Sequence, residues 1–212
     1  MDYIPHLSIL IQEQTDRHAG KGTQVENVIK ICIYLGIIVL CMSMTYKLTT
    51  ASQVREESQK KQYNQNLKDD LDIQLLKRYI MSRRSNMPKE FAVIIAQEVH
   101  AVSKKENVPL ELVVGIIETE SIWNAMAISD KGARGLMQIL KADKIEINFE
   151  IAHDIPYNLE IGVGILKEKM ASCNGNLPKA LYNYSGGKTD YAVEVMKNVG
   201  RFQLFKSGWN NY

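Results

Sequence analysis

The 212 residues give room for one domain of roughly 100–150 residues with chain to spare. With 26 Lys and Arg against 24 Asp and Glu, the formal net charge is only +2, so charge gives no reason to expect nucleic acid as a partner. The excess is uneven: from Ser85 to Tyr212 there are 14 basic and 15 acidic residues, so the positive balance lies upstream.

Met1 to Asn27 is short, polar and mixed in charge, and Gly20-Lys21-Gly22-Thr23 predicts a flexible break within it. Residues 28–46 follow as an apolar run from Val28 to Tyr46 whose single charge is Lys30, close enough to one end to snorkel. That length meets the roughly 17–25 residues of a membrane-crossing helix, and the run has no polar face of the kind a soluble core helix shows. It starts too late for a secretory leader and ends in Ser43-Met44-Thr45-Tyr46-Lys47 without a small-residue cleavage site, so it reads as an uncleaved transmembrane anchor. Basic residues flank it on both sides, Arg17, Lys21 and Lys30 before and Lys47, Arg55, Lys60 and Lys61 after, so flanking charge does not decide orientation.

Residues 47–84 are dominated at first by Gln, Lys, Glu and Asn. Leu67, Leu71 and Leu75 then fall at i, i+4 and i+8, with Leu76, Tyr79 and Ile80 beside them, which predicts a short helical stalk. From Ser85 the pattern becomes that of a domain. Pro88 and Pro109 each open a helical pattern; the first continues through Phe91, Ile94, Ile95, Val99 and Val102. Between Lys141 and Asp154, Ile145, Ile147, Phe149 and Ile151 alternate, enough for a short irregular or extended segment. Helical spacing returns at Leu159, Val163, Leu166 and Met170, at Ala180-Leu181-Tyr182, and at Ala192, Val195, Met196 and Val199. A mainly α domain over residues 85–212 is expected. Cys32 and Cys41 lie in the apolar run, leaving Cys173 alone in this part, so no disulfide can form within it.

The helix opened by Pro109 carries Val113, Ile116 and Ile117 at i, i+3 and i+4, and the next position on that stripe is Glu120. A carboxylate where a core residue is expected has its charged form disfavoured by desolvation, which suits a proton donor near neutral pH. Its plainer reading is a last-turn glutamate at the rim of the core. Glu118, two residues earlier, points about 200° away around the helix and cannot share a site with Glu120 while the segment is helical. A long loop follows, with Ser121, Ser129, Asp130, Gly132, Gly135, Leu136, Met137 and Gln138.

Glu120-Ser121, then Ser129, then Gly132-Ala133-Arg134-Gly135-Leu136-Met137-Gln138 resembles the defining motif of the soluble-lytic-transglycosylase family, glycoside hydrolase family 23. Asn158-Leu159-Glu160-Ile161-Gly162 resembles a second element of that family, and Ala180-Leu181-Tyr182-Asn183 a third. The third is shorter by two residues before its Tyr-Asn pair, and is followed by Tyr184 and Ser185 where alanine and glycine are usual. The likeness covers about Asn107 to Gly200. Taken singly, each piece has a structural reading: Tyr182 as core, Asn158 as a cap, Gly132 and Gly135 as turn residues, Gln138 as a buried amide.

The resemblance implies a goose-lysozyme-like α domain with a saccharide cleft that cleaves the β-1,4 bond between N-acetylmuramic acid and N-acetylglucosamine in peptidoglycan glycan strands. It implies 1,6-anhydro products, the sugar's own 6-hydroxyl acting as nucleophile, so that one carboxyl suffices where other glycosidases need two. Glu120 is then the acid/base. Ser121, Ser129, Gly135, Met137, Gln138, Tyr182 and Asn183 become candidates for substrate contact or cleft wall. Asp130 reads as a turn aspartate, unless it faces Glu120 and permits hydrolysis as in a muramidase. A catalytically inactive peptidoglycan-binding component is the non-enzymatic alternative. No metal or nucleotide motif is visible, and the resemblance requires no cofactor. The implied substrate places the domain in the periplasm or cell-wall space, anchored in a bacterial inner membrane or a virion membrane, in the service of a virion or of a secretion or conjugation machine.

Overall fold

The computed structural model describes residues 5–140 and 147–209. Helix α1 spans Pro5–Arg83 and divides between two compact units, Met1–Asn64 and Gln65–Tyr212. The break expected at Gly20–Thr23 does not occur. Each glycine costs a helix only about 1 kcal/mol against alanine, and no proline lies between Pro5 and Pro88 to force a stop.

In the first unit the apolar residues from Val28 to Tyr46 are exposed along the whole run. The hydroxyls of Ser43 and Thr45 donate to the carbonyls of Leu40 (2.8 Å) and Met42 (2.9 Å), so these polar groups are satisfied by the helix's own backbone. Hydrocarbon imposes that same condition on any polar atom it surrounds. Among the described residues this is the one helix long and apolar enough to cross a membrane.

The second unit is mainly helical: the end of α1, α2 (Lys89–Glu106), α3 (Leu110–Glu120), a 3-10 turn at Phe149–Ile151, α4 (Ile155–Ser172), α5 (Leu177–Tyr184) and α6 (Tyr191–Trp209). Among the described residues the only extended pairing is a set of isolated bridges in the loop after α3. The alternation expected from Ile145 falls partly on residues 141–146, outside the described residues. Asn107, in the left-handed conformation at φ 53°, ends α2. Ser103 then ties the turn by donating to the Val108 carbonyl at 2.6 Å, and α3 begins three residues after the turn.

The core differs from the expected pattern in two places. On α2 the buried face is Ala92, Ile95, Ala96, Val99 and Val102, while Phe91 and Ile94 are exposed, because the small alanines set the face that meets its neighbours. The second difference is larger: Leu75, Leu76, Tyr79 and Ile80, read as stalk, are buried in this core, with Tyr79 edge-on to Trp123, Phe202 and Phe205. The compact unit accordingly begins at Gln65, upstream of the expected Ser85. A stripe with a two-sided apolar flank fits a helix that is packed better than one that stands alone.

Helix α3 lies at the centre, buried from Leu112 to Glu118 on every side. It approaches α6 closely because position 115 has no side chain. A Cβ at Gly115 would stand 2.7 Å from Val199 Cγ2 and 2.9 Å from the Val195 carbonyl oxygen, both inside contact distance.

Two measurements test this packing. Gly115→Ala should destabilise the second unit by about 1–3 kcal/mol through overpacking, whereas Gly164→Ala, on α4 with nothing within 4 Å of its new Cβ, should stabilise by about 0.5–1 kcal/mol. Urea unfolding of both variants gives the signs. A fragment beginning at Ser85 lacks four buried side chains worth roughly 1.5–3 kcal/mol each, a sum comparable to a whole domain's stability of about 5–15 kcal/mol. It should fail to unfold cooperatively, and a fragment beginning at Gln65 should succeed.

Candidate active site

Glu120 is the last residue of α3, so its carboxyl leaves the helix at the point where the chain turns into the long loop. It lines a cleft of about 550 Å³ together with Ser129, Lys131, Gln138, Leu140, Lys169, Asn183, Tyr184 and neighbouring backbone. Among the described residues it is the only acid in that lining. Tyr191, at the start of α6, donates its hydroxyl to Glu120 Oε1 at 2.5 Å. Burial pushes the Glu120 pKa up, against the opposing pull of the Tyr191 hydrogen bond and of the Lys188 charge. The tyrosines stay protonated donors: burial raises Tyr184 and Tyr191, and the nearby Glu120 charge adds to the effect.

The loop wall is built around one amide. Asn158, on the first turns of α4 and 1% exposed, accepts from the Met137 N–H at 2.8 Å and donates to the carbonyls of Arg134 and Ala152, both at 2.8 Å. Both its N–H donors and its oxygen thus have partners, and the single side chain ties three backbone groups together. Gly135, at φ +80°, is needed here twice over: the conformation is left-handed, and a Cβ would sit 2.1 Å from Asn158 Nδ2. Gly162 makes room for Met137 in the same way, with a Cβ there falling 2.6 Å from the Met137 Cβ and Sδ. Tyr184 closes the circuit. Its hydroxyl donates to the Met137 carbonyl at 3.0 Å, and its ring stacks on Tyr191 at 6.2 Å between centroids.

The expected site residues fall into three groups. Glu120, Ser129, Gln138 and Asn183 come together at the cleft. Ser129 accepts from the Ala133 N–H at 3.0 Å, and Gln138, at φ 48°, donates to the carbonyls of Ala127 and Gly135, so both also hold the loop's shape. Ser121, Gly135 and Met137 act behind the surface: the Ser121 hydroxyl bonds back to the Ile117 carbonyl at 3.2 Å, Gly135 packs on Asn158, and Met137 is fully buried. Tyr182 and Asp130 stand apart from the cleft lining. Tyr182 is 43% exposed on α5, and the hydroxyl that holds the Glu120 carboxyl is that of Tyr191. Asp130 is exposed on the tight turn closed by the Gly132 N–H to Ser129 carbonyl bond at 2.8 Å.

The sequence reading had no signal for Tyr191, Lys131 or Lys169 at the cleft. Tyr191 is 71 residues from its partner and is brought to it only by the packing of α6 on α3. Glu118 was set aside as pointing away from Glu120. It does so, yet it is 3% exposed, with the Arg83 guanidinium on Oε1 at 2.5 Å and the Trp123 indole N–H on Oε2 at 2.5 Å.

The raised Glu120 pKa has a stability consequence with a definite sign. An acid whose folded pKa lies above its unfolded value, about 4.3, favours the fold while protonated and loses that contribution as pH rises through the folded value. Glu120→Gln, which keeps an acceptor for Tyr191, should therefore be more stable than the parent at pH 7, with the advantage shrinking as pH falls from the folded value towards about 4.3 and absent below it. Paired denaturation curves at pH 7 and pH 4 measure it. Asn158→Ala removes three hydrogen bonds, leaving the Met137 N–H and the Ala152 carbonyl without the partner it gave them while Arg134 keeps the Ile139 N–H, and should cost at least about 2 kcal/mol in the same measurement.

Comparison with known proteins places this geometry. Residues 97–201 match the transglycosylase SLT domain. The chain is also 31% identical over 112 residues to a protein named transglycosylase from Enterobacteria phage PRD1. That match covers 49% of this chain and 42% of the phage protein, so the chain spans about two fifths of the length of this curated relative. Helix α3 with Glu120, the glycine loop, Asn158, Tyr184 and Tyr191 all lie within the matched span, so the residues that build the cleft are those of the stretch similar to the transglycosylase SLT domain.

Proposed function

We propose that this domain is a peptidoglycan lytic transglycosylase that cleaves the β-1,4 bond between N-acetylmuramic acid and N-acetylglucosamine and leaves 1,6-anhydro ends. The observation that carries the reading is a single acid, Glu120, in the described lining of an open cleft, with its pKa raised by burial. A carboxyl whose neutral form is favoured by burial can donate its proton to the leaving glycosidic oxygen. The resulting carboxylate then takes the proton of the muramic acid 6-hydroxyl as that oxygen closes on the anomeric carbon. The proton lost in the first half is regained in the second, so no second carboxylate is called for, in contrast to the paired acids of hydrolytic glycosidases. Tyr191 assists both halves, because its hydroxyl remains a donor and stabilises the carboxylate when it forms.

The likeness to the phage PRD1 protein named transglycosylase supports the activity, and the apolar run at residues 28–46 supports a single membrane anchor. The chain is then a membrane-anchored enzyme of the periplasm or cell-wall space, opening the wall locally for a virion or for a secretion or conjugation machine.

Digestion of purified peptidoglycan by the full chain in detergent, with mass analysis of the muropeptide ends, tests the reading. Products lighter by one water than their hydrolytic counterparts are expected, and Glu120→Gln should lower the rate by at least about a hundredfold. Reducing ends would replace transglycosylation with hydrolysis. Full activity in Glu120→Gln would remove the proposed mechanism.

A further inference from the structure

The last turn of α3 places three polar side chains in succession against one face of α6. Glu118 faces Arg201 at 3.6 Å, the Thr119 hydroxyl accepts from Asn198 at 2.9 Å, and Glu120 accepts from Tyr191 at 2.5 Å. Arg201 also donates to Asn198 at 2.6 Å, which joins two of the rungs. Positions 191, 198 and 201 fall within about 80° of one another around the helix, so they share a side of α6. The close approach at Gly115 brings that side within reach.

Glu118 has two further partners that neither helix supplies. Arg83, the last residue of α1, donates through Nε to Oε1 at 2.5 Å, and Trp123 donates to Oε2 at 2.5 Å. Trp123 reaches it through a turn in which Ile122 (φ 49°) and Trp123 (φ 63°) both hold left-handed backbone, a strained arrangement that persists only where its surroundings enforce it. With the Arg83 side chain 34% exposed, an ion pair of this kind adds little net stability. What the pair supplies is a fixed geometry on both sides of residue 120.

We infer that Glu118, clamped by Arg83 and Trp123, is a positioning residue for Glu120: it locks the last turn of α3 and the strained turn after it, so that the Glu120 carboxyl stays against Tyr191 in the cleft. The end of α1 thereby becomes part of the catalytic scaffold. The inference rests on the reading of Glu120 as acid/base, and its test includes a measurement that needs no turnover.

The groups facing Glu120 are Tyr191 and Glu194 of α6, Lys188 just before it and Tyr184 of α5; Arg83 is not among them. Arg83→Met therefore separates two effects of opposite sign. Loss of a distant positive charge alone would raise the Glu120 titration midpoint, whereas release of the carboxyl from its buried position would lower it towards an ordinary glutamate. In the full chain in detergent, carbon-13 NMR of labelled glutamate, assigned with Glu120→Gln, should show the midpoint falling in Arg83→Met. On soluble peptidoglycan strands kcat should fall about tenfold, as a small misplacement of a catalytic group does, with KM within about twofold. Arg83→Lys should restore both, and Glu118→Gln should reproduce the Met variant. A midpoint that rises or stays, or an unchanged kcat, overturns the clamp. The NMR midpoint decides the clamp even where Glu120→Gln keeps activity and the acid/base reading falls.

Discussion

The contact between α3 and α6 at Gly115 is the constraint on which the remainder of the domain depends. Any side chain at that position would push against the Val195 carbonyl and the Val199 side chain, and the two helices would separate by the width of a methyl group or more. The hydrogen bonds of Thr119 to Asn198 and Glu120 to Tyr191 act over less than 3 Å and would not survive such a separation. A backbone vacancy in the core thus decides whether a carboxyl at the helix end meets a phenol. The apolar packing sets the distance, and the polar contacts at the helix end exploit it.

A second centre of organisation is Asn158, and the two centres meet at Tyr184. The loop after α3 pairs part of its backbone through isolated bridges, and a single buried amide adds three bonds, to Met137, Arg134 and Ala152. Tyr184 then bonds the other side of Met137 and stacks on Tyr191. The cleft floor and the acid are consequently tied through one buried chain of contacts, and neither wall can shift without disturbing the other. Irregular backbone can be held in place in this way where buried donors and acceptors along it find side-chain partners. The loop's several left-handed residues, Gln138 among them, are the local cost of that arrangement.

What the sequence disclosed and what it hid follow from the range of the forces involved. Helices α2 to α6 were legible from apolar spacing, and Glu120 from its place on a stripe, because these depend on neighbours three or four residues apart. Gly135 and Gly162 were legible as motif members, though their reason, room for Asn158 and Met137, is visible only in three dimensions. Tyr191 and Arg83 were not legible as site residues. Each meets its carboxylate across a separation of 71 or 35 residues, which no local pattern encodes. The reading of Leu75 to Ile80 as stalk failed for a related reason: an amphipathic stripe states that a helix has a partner, and says nothing about whether the partner is another copy, a membrane or the domain that follows.

The two carboxylates at the end of α3 show how one helix turn can give identical side chains different work. Glu118 has a guanidinium and an indole N–H on its two oxygens and is held between three parts of the chain. Glu120 has one neutral donor, Tyr191, in a desolvated position, and burial shifts it towards its neutral form. Two residues of rotation separate a clamped carboxylate from one that opens on the cleft. The sequence Glu-Thr-Glu is symmetric, and the difference arises entirely from which helix faces each side: the end of α1 with its arginine on one, the cleft on the other. In the proposed mechanism the acid that gives and then takes a proton needs the second environment, and the turn inferred to hold it still is served by the first.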